Sequence, residues 1–160
     1  MKIFSYTLLF VVLILSQIFI LPYFAIGYFV PDILFIGVIV LGIREGGVPA
    51  MLAGTVAGFF RDAFTTGFLG SSMLSLVIVG FLAGIFSKHR LRLGSRGSFV
   101  FLFTICFLYN MIYYSLQLID TALTFSAILL QFIIPAAIYT LIIVGIAHFL
   151  IPRGLWGQAK

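Results

Sequence analysis

A run of polar side chains interrupts an otherwise apolar stretch in the second half of the chain. It consists of Asn110, Tyr113, Tyr114, Gln117 and Thr121, at spacings of three and four residues. These spacings return to one face of an α-helix, so the side chains form a single stripe. Their amide and hydroxyl groups can hydrogen-bond either to a ligand in a cavity open to the outside or to neighbouring helices. The residues alone leave both interpretations open.

Four further polar residues belong to the same predicted site. They are expected at a similar depth, on other helices: Gln17, Arg61, Asp62 and Gln131. Polar groups inside a membrane are costly and tend to face a bundle interior, a cavity or a partner. The sequence therefore predicts that one half of the bundle, the outer half, is the polar half.

The residue pattern gives no support to chemistry beyond hydrogen bonding. The sequence contains no carboxylate pair, no nucleophile beside a base and no phosphate-binding loop. The only cysteine, Cys106, lies in an apolar run, and His89 and His148 have no metal-binding partner at a suitable spacing. We therefore expect no enzyme activity, no cofactor and no metal site.

The composition indicates which solvent the chain requires. Hydrophobic residues make up 63% of the 160 residues and charged residues 8%, whereas about 25% charged residues are usual in soluble domains. Nine Lys+Arg and four Asp+Glu cannot cover a water-exposed surface that must bury 19 Phe and 7 Tyr. This excludes a water-soluble fold and predicts a lipid bilayer as solvent. The basic residues are spaced between apolar runs, so the net charge of +5 does not indicate a nucleic-acid partner.

Charges and turn-forming residues divide the chain into about six apolar segments within one multi-pass membrane domain, residues 1–160. The predicted segments are helix 1 over 3–21, closed by Pro22, two short segments between Asp32 and Asp62, helix 4 from Ser71 or Ser72 as N-cap to Ser87, helix 5 over 99–119 and helix 6 over 123–151, kinked at Pro135.

Two of these assignments have alternatives. The short segments, divided at 44–49, have about 13 residues each, too few for the ~30 Å hydrocarbon core, so they are either short helices or a re-entrant hairpin. The basic start of helix 1 also fits a secretory signal cleaved after 25–27, although its apolar run is longer than a signal core.

The distribution of basic residues predicts the orientation of the chain. With six spans and a cytoplasmic N-terminus, Arg61 is the only one of the nine Lys and Arg residues that lies outside. Cytoplasmic loops carry the excess of Lys and Arg. Both termini and the loop over 88–96 are therefore expected in the cytoplasm.

Small residues are concentrated on the third segment and on helix 4. They are Ala50, Ala53, Gly54, Ala57 and Gly58, followed by Gly80 and Gly84. Small residues let helix backbones approach closely in lipid, where no hydrophobic force drives helices together. These faces either pack within the chain or bind another membrane protein.

The order of several short motifs resembles the MreD family of bacterial rod shape-determining proteins. The motifs are Pro31-Asp32-Ile33-Leu34, Arg44-Glu45-Gly46, Gly58-Phe59-Phe60-Arg61-Asp62, Gly67-Phe68-Leu69-Gly70 and Gly80-Phe81-Leu82-Ala83-Gly84. Their order and spacing over 31–90 carry the resemblance, while the termini and helices 5 and 6 match in hydropathy.

The resemblance implies an inner-membrane scaffold of the cell-elongation machinery. Its expected partners are an MreC-like bitopic protein, RodA and a class B penicillin-binding protein, with the actin-like MreB as an indirect partner. The implied fold is similar to the substrate-binding subunits of energy-coupling-factor vitamin transporters, so a vitamin uptake subunit is the alternative function. Those subunits dock their coupling module through an Ala-x-x-x-Ala motif on helix 1, whereas this chain has no alanine before Ala25. That difference favours the scaffold.

Overall fold

The computed structural model describes residues 2–25, 30–65, 68–88, 96–119 and 124–150, and this part of the chain contains helices and short connections but no β-strand. The all-α prediction is confirmed there. The helices are α1 (Lys2–Leu15, continued by a π-helical turn Ser16–Ile20 and a 3₁₀ turn Leu21–Phe24), α2 (Ile33–Glu45), α3 (Gly47–Phe64), α4 (Ser71–Lys88), α5 (Arg96–Gln117), α6 (Phe125–Ile128, continued by a π-helical turn Leu129–Ile133) and α7 (Ile134–Leu150).

Several predicted features lie outside the described residues. They are the candidate cleavage site around 26–27, most of the basic loop with His89, the boundary at 120–121 and the tail over 151–160. His148 belongs to α7, but its side chain is not among those described.

Glycines with positive φ separate the central helices. Gly46, at φ 97°, connects α2 directly to α3, and Gly70, at φ 103°, precedes α4. Side chains with a Cβ rarely adopt this conformation. Pro49 lies in the first turn of α3, where the N–H that proline lacks would have no helical partner. The predicted division at 44–49 is therefore narrower in the structure, where Gly46 alone separates α2 from α3.

Proline also accompanies the irregular turns near both ends of the chain. Pro22 is the second residue of the 3₁₀ turn Leu21–Phe24, which ends the first helical segment. Pro135 follows the π-helical turn Leu129–Ile133 within two residues. Because proline has no N–H, it removes one bond from the α-helical ladder. In place of the single kinked helix 6 that was predicted, the structure has a π-helical turn between α6 and α7, just before Pro135.

Contacts between helix ends define an antiparallel arrangement. Near the start of α1, the Tyr6 hydroxyl donates to Glu45 Oε1, at the end of α2, over 2.8 Å. Gln17, after the end of α1, contacts the start of α2 instead. Helices α2, α3 and α4 form the most closely packed part of the bundle. Large side chains fully buried in the core include Leu34, Phe35, Leu76, Ile105 and Ile133.

Two stretches of the described chain are long and apolar enough to cross a membrane: Val100–Gln117 and Phe125–Ile142. Shorter apolar helical stretches cover Tyr6–Phe19 and Ser71–Phe86. Many large apolar side chains point outward, among them Val12 on α1 and Leu52 and Phe59 on α3. Outward-facing large apolar side chains of this kind are expected in a helix bundle that is solvated by lipid.

Candidate functional site

A buried ion pair joins α2, α3 and α5. Arg61 Nη1, on α3, donates to Asp32 Oδ2, just before α2, and the two side chains are only 12% and 4% exposed. The Tyr109 hydroxyl, on α5, donates to the same Asp32 oxygen and accepts a 2.7 Å hydrogen bond from Arg61 Nη1. A buried charge is tolerated when it is paired and hydrogen-bonded, and here each partner satisfies the other.

The start of α2 is held by two side chains. Asp32 Oδ1 accepts from the Phe35 N–H at 3.1 Å, so one carboxylate both caps the helix and pairs with Arg61. Gln17 Oε1 accepts from the Ile33 N–H at 3.0 Å, while Gln17 Nε2 donates to the Pro31 carbonyl at 3.1 Å. N-terminal N–H groups of a helix have no partner within it, and a negative charge there is favourable.

Aromatic rings surround the ion pair. The Tyr113 ring centroid lies 4.8 Å from Arg61 Cζ, a cation–π contact. Tyr109 stacks on Tyr113 at 6.1 Å and packs against Phe35 at 4.9 Å between ring centroids. These rings reduce the access of solvent to Arg61 and fix its orientation.

Asp62 faces a different helix from its neighbour Arg61. Its carboxylate accepts from the backbone N–H groups of Gly70, Ser72 and Met73 at 2.9, 3.1 and 3.2 Å. The prediction that Ser71 or Ser72 caps α4 is therefore wrong. The Ser71 hydroxyl instead donates to Gln117 Oε1 at 3.0 Å, and Ser72 Oγ has no partner in the described part of the chain. A carboxylate from the end of α3 satisfies the orphan donors of α4.

The stripe on α5 makes contacts within the bundle. Asn110 Nδ2 donates to the Cys106 carbonyl at 2.8 Å, and the Cys106 thiol lies 3.7 Å from the Ala137 carbonyl on α7. Gln117 reaches α4 through Ser71. Tyr114 lies against Phe132 at 6.0 Å between centroids. The stripe therefore connects α5 to the helices on both sides of it.

We call the end of the bundle that holds Gln17, Asp32, Arg61, Asp62 and Gln117 the polar end. Of the eight predicted polar residues that the structure describes, seven lie at the polar end or on the adjoining face of α5: Gln17, Arg61, Asp62, Asn110, Tyr113, Tyr114 and Gln117. Gln131 does not join them: its side chain is exposed on the outside of the bundle, in the π-helical turn after α6. Thr121 lies outside the described residues.

Two residues central to the polar end were absent from the predicted site. Tyr109 precedes Tyr113 by four residues, so the helical spacing alone could have extended the stripe to it. The sequence pattern places Asp32 only at the end of a predicted segment. Its pairing with Arg61 depends on how α2 and α3 pack, which the residue spacing does not reveal.

A cavity of about 10 Å³ lies beside the ion pair. Its walls include Asp32 and Arg61, the α5 residues Asn110 and Tyr113, and Thr140 on α7. A volume of about 10–15 Å³ holds one water molecule, whereas pockets for small organic ligands measure about 300–1,000 Å³. The cavity beside the ion pair is therefore on the scale of a single water molecule.

The small residues lie where α3 and α4 touch. A Cβ at Gly58 would lie 2.4 Å from Met73 Cα, and a Cβ at Gly54 would lie 2.8 Å from the Leu76 carbonyl oxygen. From the α4 side, a Cβ at Gly80 or Gly84 would lie within 3 Å of the backbone of Ala50 or Gly47. Ala50 and Ala57 are fully buried and Ala53 is partly buried. This placement favours packing within the chain over a surface for another protein.

Comparison of the chain with protein-family models, with curated proteins and with solved structures finds no match. The site must therefore be interpreted from its own geometry. Among the described residues, no group of three His, Cys, Asp or Glu is placed to hold a metal ion. The hydrogen bonds and the ion pair fix α1 to α5 relative to one another, and they leave a space of about 10 Å³ beside the ion pair.

Proposed function

We propose that this protein is a non-catalytic inner-membrane scaffold of the bacterial cell-elongation machinery, of the MreD type. In this role it binds the transmembrane helix of an MreC-like bitopic protein and supports lateral peptidoglycan synthesis. RodA and a class B penicillin-binding protein belong to the same assembly, and MreB is reached indirectly. The protein turns over no substrate.

The observation that carries the proposal is that the motifs of the family resemblance meet in space. Asp32 of the first motif pairs with Arg61 of the third, and Asp62 caps the helix that follows Gly70. Gly58 and Gly80 lie on the contact between α3 and α4. Motif residues up to 29 positions apart thus belong to one framework, which supports treating the motifs as a single signature.

The proposal includes six spans with both termini in the cytoplasm. Alternating helix directions support it, because Tyr6 and Glu45 meet at one end of the bundle while Gln17, Asp32 and Arg61 meet at the other. The 18 residues of α3 extend about 27 Å at 1.5 Å per residue, close to the ~30 Å core, and the 13 residues of α2 extend about 20 Å. In this topology the polar end faces outward, as in the vitamin-binding subunits.

Vitamin uptake remains the rival function because that transporter family is proposed to share the fold. Two features of the polar end oppose it. Its charged groups are already paired, with Asp32 on Arg61 and Asp62 on the start of α4. The cavity beside the ion pair, formed by described residues and about 10 Å³ in volume, is far smaller than a vitamin requires. Both features favour a structural role for the polar end.

A deletion strain tests the cellular role. We expect rod-shaped cells that lose the protein to become round, and re-expression to restore the rods. In parallel, calorimetry of the purified protein against a panel of vitamins should show no saturable binding. Normal rods in the deletion strain, together with sub-micromolar vitamin binding that Asn110→Ala abolishes, would establish the rival function.

A further inference from the structure

Two buried polar side chains border the cavity at the polar end and lack partners there. Asn110 uses its amide nitrogen on Cys106, while its Oδ1 has no hydrogen bond within the described chain. Thr140, on α7, makes none among these residues either. The two residues are 3% and 4% exposed, and both line the cavity. Polar side chains that lack a protein partner in folded proteins are usually hydrogen-bonded to ordered water.

The size and lining of the cavity limit what it can hold. A volume of about 10 Å³ has room for one water molecule, and a buried water needs two to four polar partners. Asn110 Oδ1 offers an acceptor, the Thr140 hydroxyl a donor or an acceptor, and the Arg61 guanidinium further donors. The charge of Arg61 is already balanced by Asp32, so the cavity carries no excess charge that would call for an ion.

We propose that this cavity is a binding site for one ordered water molecule, which bridges Asn110 on α5 to Thr140 on α7 beside the Asp32–Arg61 pair. The water extends the network of the polar end to α7, which the ion pair and the Asp62 cap do not reach. This inference does not depend on the proposed cellular role, since it rests on the cavity and its walls alone.

A high-resolution crystal structure of the wild-type protein in lipidic mesophase tests the proposal without any substitution. We expect one density peak within 3.2 Å, about the upper limit of a good hydrogen bond, of both Asn110 Oδ1 and Thr140 Oγ1. A direct hydrogen bond between the two side chains, or a cavity without density, would overturn the proposal. Crystals grown in bromide distinguish an anion, because an anomalous peak at this position would also overturn it.

Matched threonine variants provide a second measurement. Thr140→Val keeps the side-chain volume but removes the hydroxyl, so we expect it to lower the thermal unfolding midpoint and to displace the water. Thr104→Val is the control, because Thr104 is exposed and bonds only to the Val100 carbonyl of its own helix. Asn110→Ala and Thr140→Val should be non-additive by about threefold or more in the unfolding equilibrium constant, because they share one water. Full additivity, with Thr140→Val no worse than Thr104→Val, would contradict the bridge.

Discussion

Asp32 and Arg61 are 29 positions apart and form an ion pair in which the carboxylate also caps α2. The pair closes the hairpin of α2 and α3 at the end opposite to Gly46, and Tyr109 ties α5 to the same carboxylate. One acidic group thus connects three helices. The stability of the bundle should therefore depend on the Asp32 carboxylate.

Removal of one member of the ion pair should destabilise the protein strongly. Asp32→Asn leaves the Arg61 charge buried without its counter-charge, and breaking a buried pair in this way costs about 3–5 kcal/mol. Thermal unfolding in detergent measures the loss. The double variant Asp32→Asn/Arg61→Gln should lose less than the sum of the single variants, because no charge is left unpaired.

Arg44→Gln is the matched control for the ion pair, since Arg44 is exposed at the end of α2. It should leave the unfolding midpoint close to that of the wild type. If Asp32→Asn changed the unfolding midpoint no more than Arg44→Gln does, the ion pair would not stabilise the bundle.

The cap of α4 should depend on Asp62 and not on the serines beside it. Asp62→Ala removes the acceptor of three backbone N–H groups, and we expect a loss of about 1–2 kcal/mol of stability. Ser72→Ala should be neutral or stabilising, because the Ser72 hydroxyl is buried without a partner in the described chain. Chemical or thermal unfolding of both variants shows whether Asp62→Ala loses more stability than Ser72→Ala. Equal losses would show that the carboxylate is not the cap.

The contact between α3 and α4 should not accommodate an added methyl group. The Cβ of Gly58→Ala would lie 2.4 Å from Met73 Cα, so the two helices must separate or the variant must misfold. We expect a lower yield of monodisperse protein on size-exclusion chromatography. Val56→Leu adds bulk to the exposed face of the same helix and should behave as the wild type. Equal yields for the two variants would place the close contact elsewhere.

Cysteine labelling tests the membrane topology. In a Cys106→Ala background, Leu69→Cys in the exposed turn before α4 should react with an impermeant thiol reagent in intact cells. Ser95→Cys should react only after the membrane is opened, since the basic loop is expected in the cytoplasm. Labelling of Ser95→Cys from outside would reverse the proposed orientation.

The sequence predicted the helices better than it predicted the contacts between them. Hydropathy and turn residues placed the breaks near Gly46 and before Ser71, because glycine and proline act locally on the backbone. The spacing of three and four residues is also a local property of a helix, and it predicted the stripe on α5. Tyr109 has the same helical spacing and a hydrogen-bonding hydroxyl, but the predicted stripe did not include it.

The contacts between helices could not be predicted from the spacing of residues in the sequence. Nothing local indicates that Asp62 reaches forward to cap α4 while Arg61 reaches back to Asp32. Two neighbouring residues can serve different helices because they point from different sides of α3, and the packing partners of each side are set by the whole bundle. Gln131 was predicted to lie at a similar depth in the membrane to Arg61 and Asp62, but the structure does not place it at the polar end.

Capture of the partner tests the central claim most directly. The protein, purified in mild detergent from its native membrane, should retain an MreC-like bitopic protein without added nucleotide or metal. It should also bind the purified partner on reconstitution in the same detergent, and a cytoplasmic-membrane protein of matched size should not. Recovery of a transporter ATPase in place of cell-wall proteins, with no binding of the MreC-like partner on reconstitution, would contradict the account.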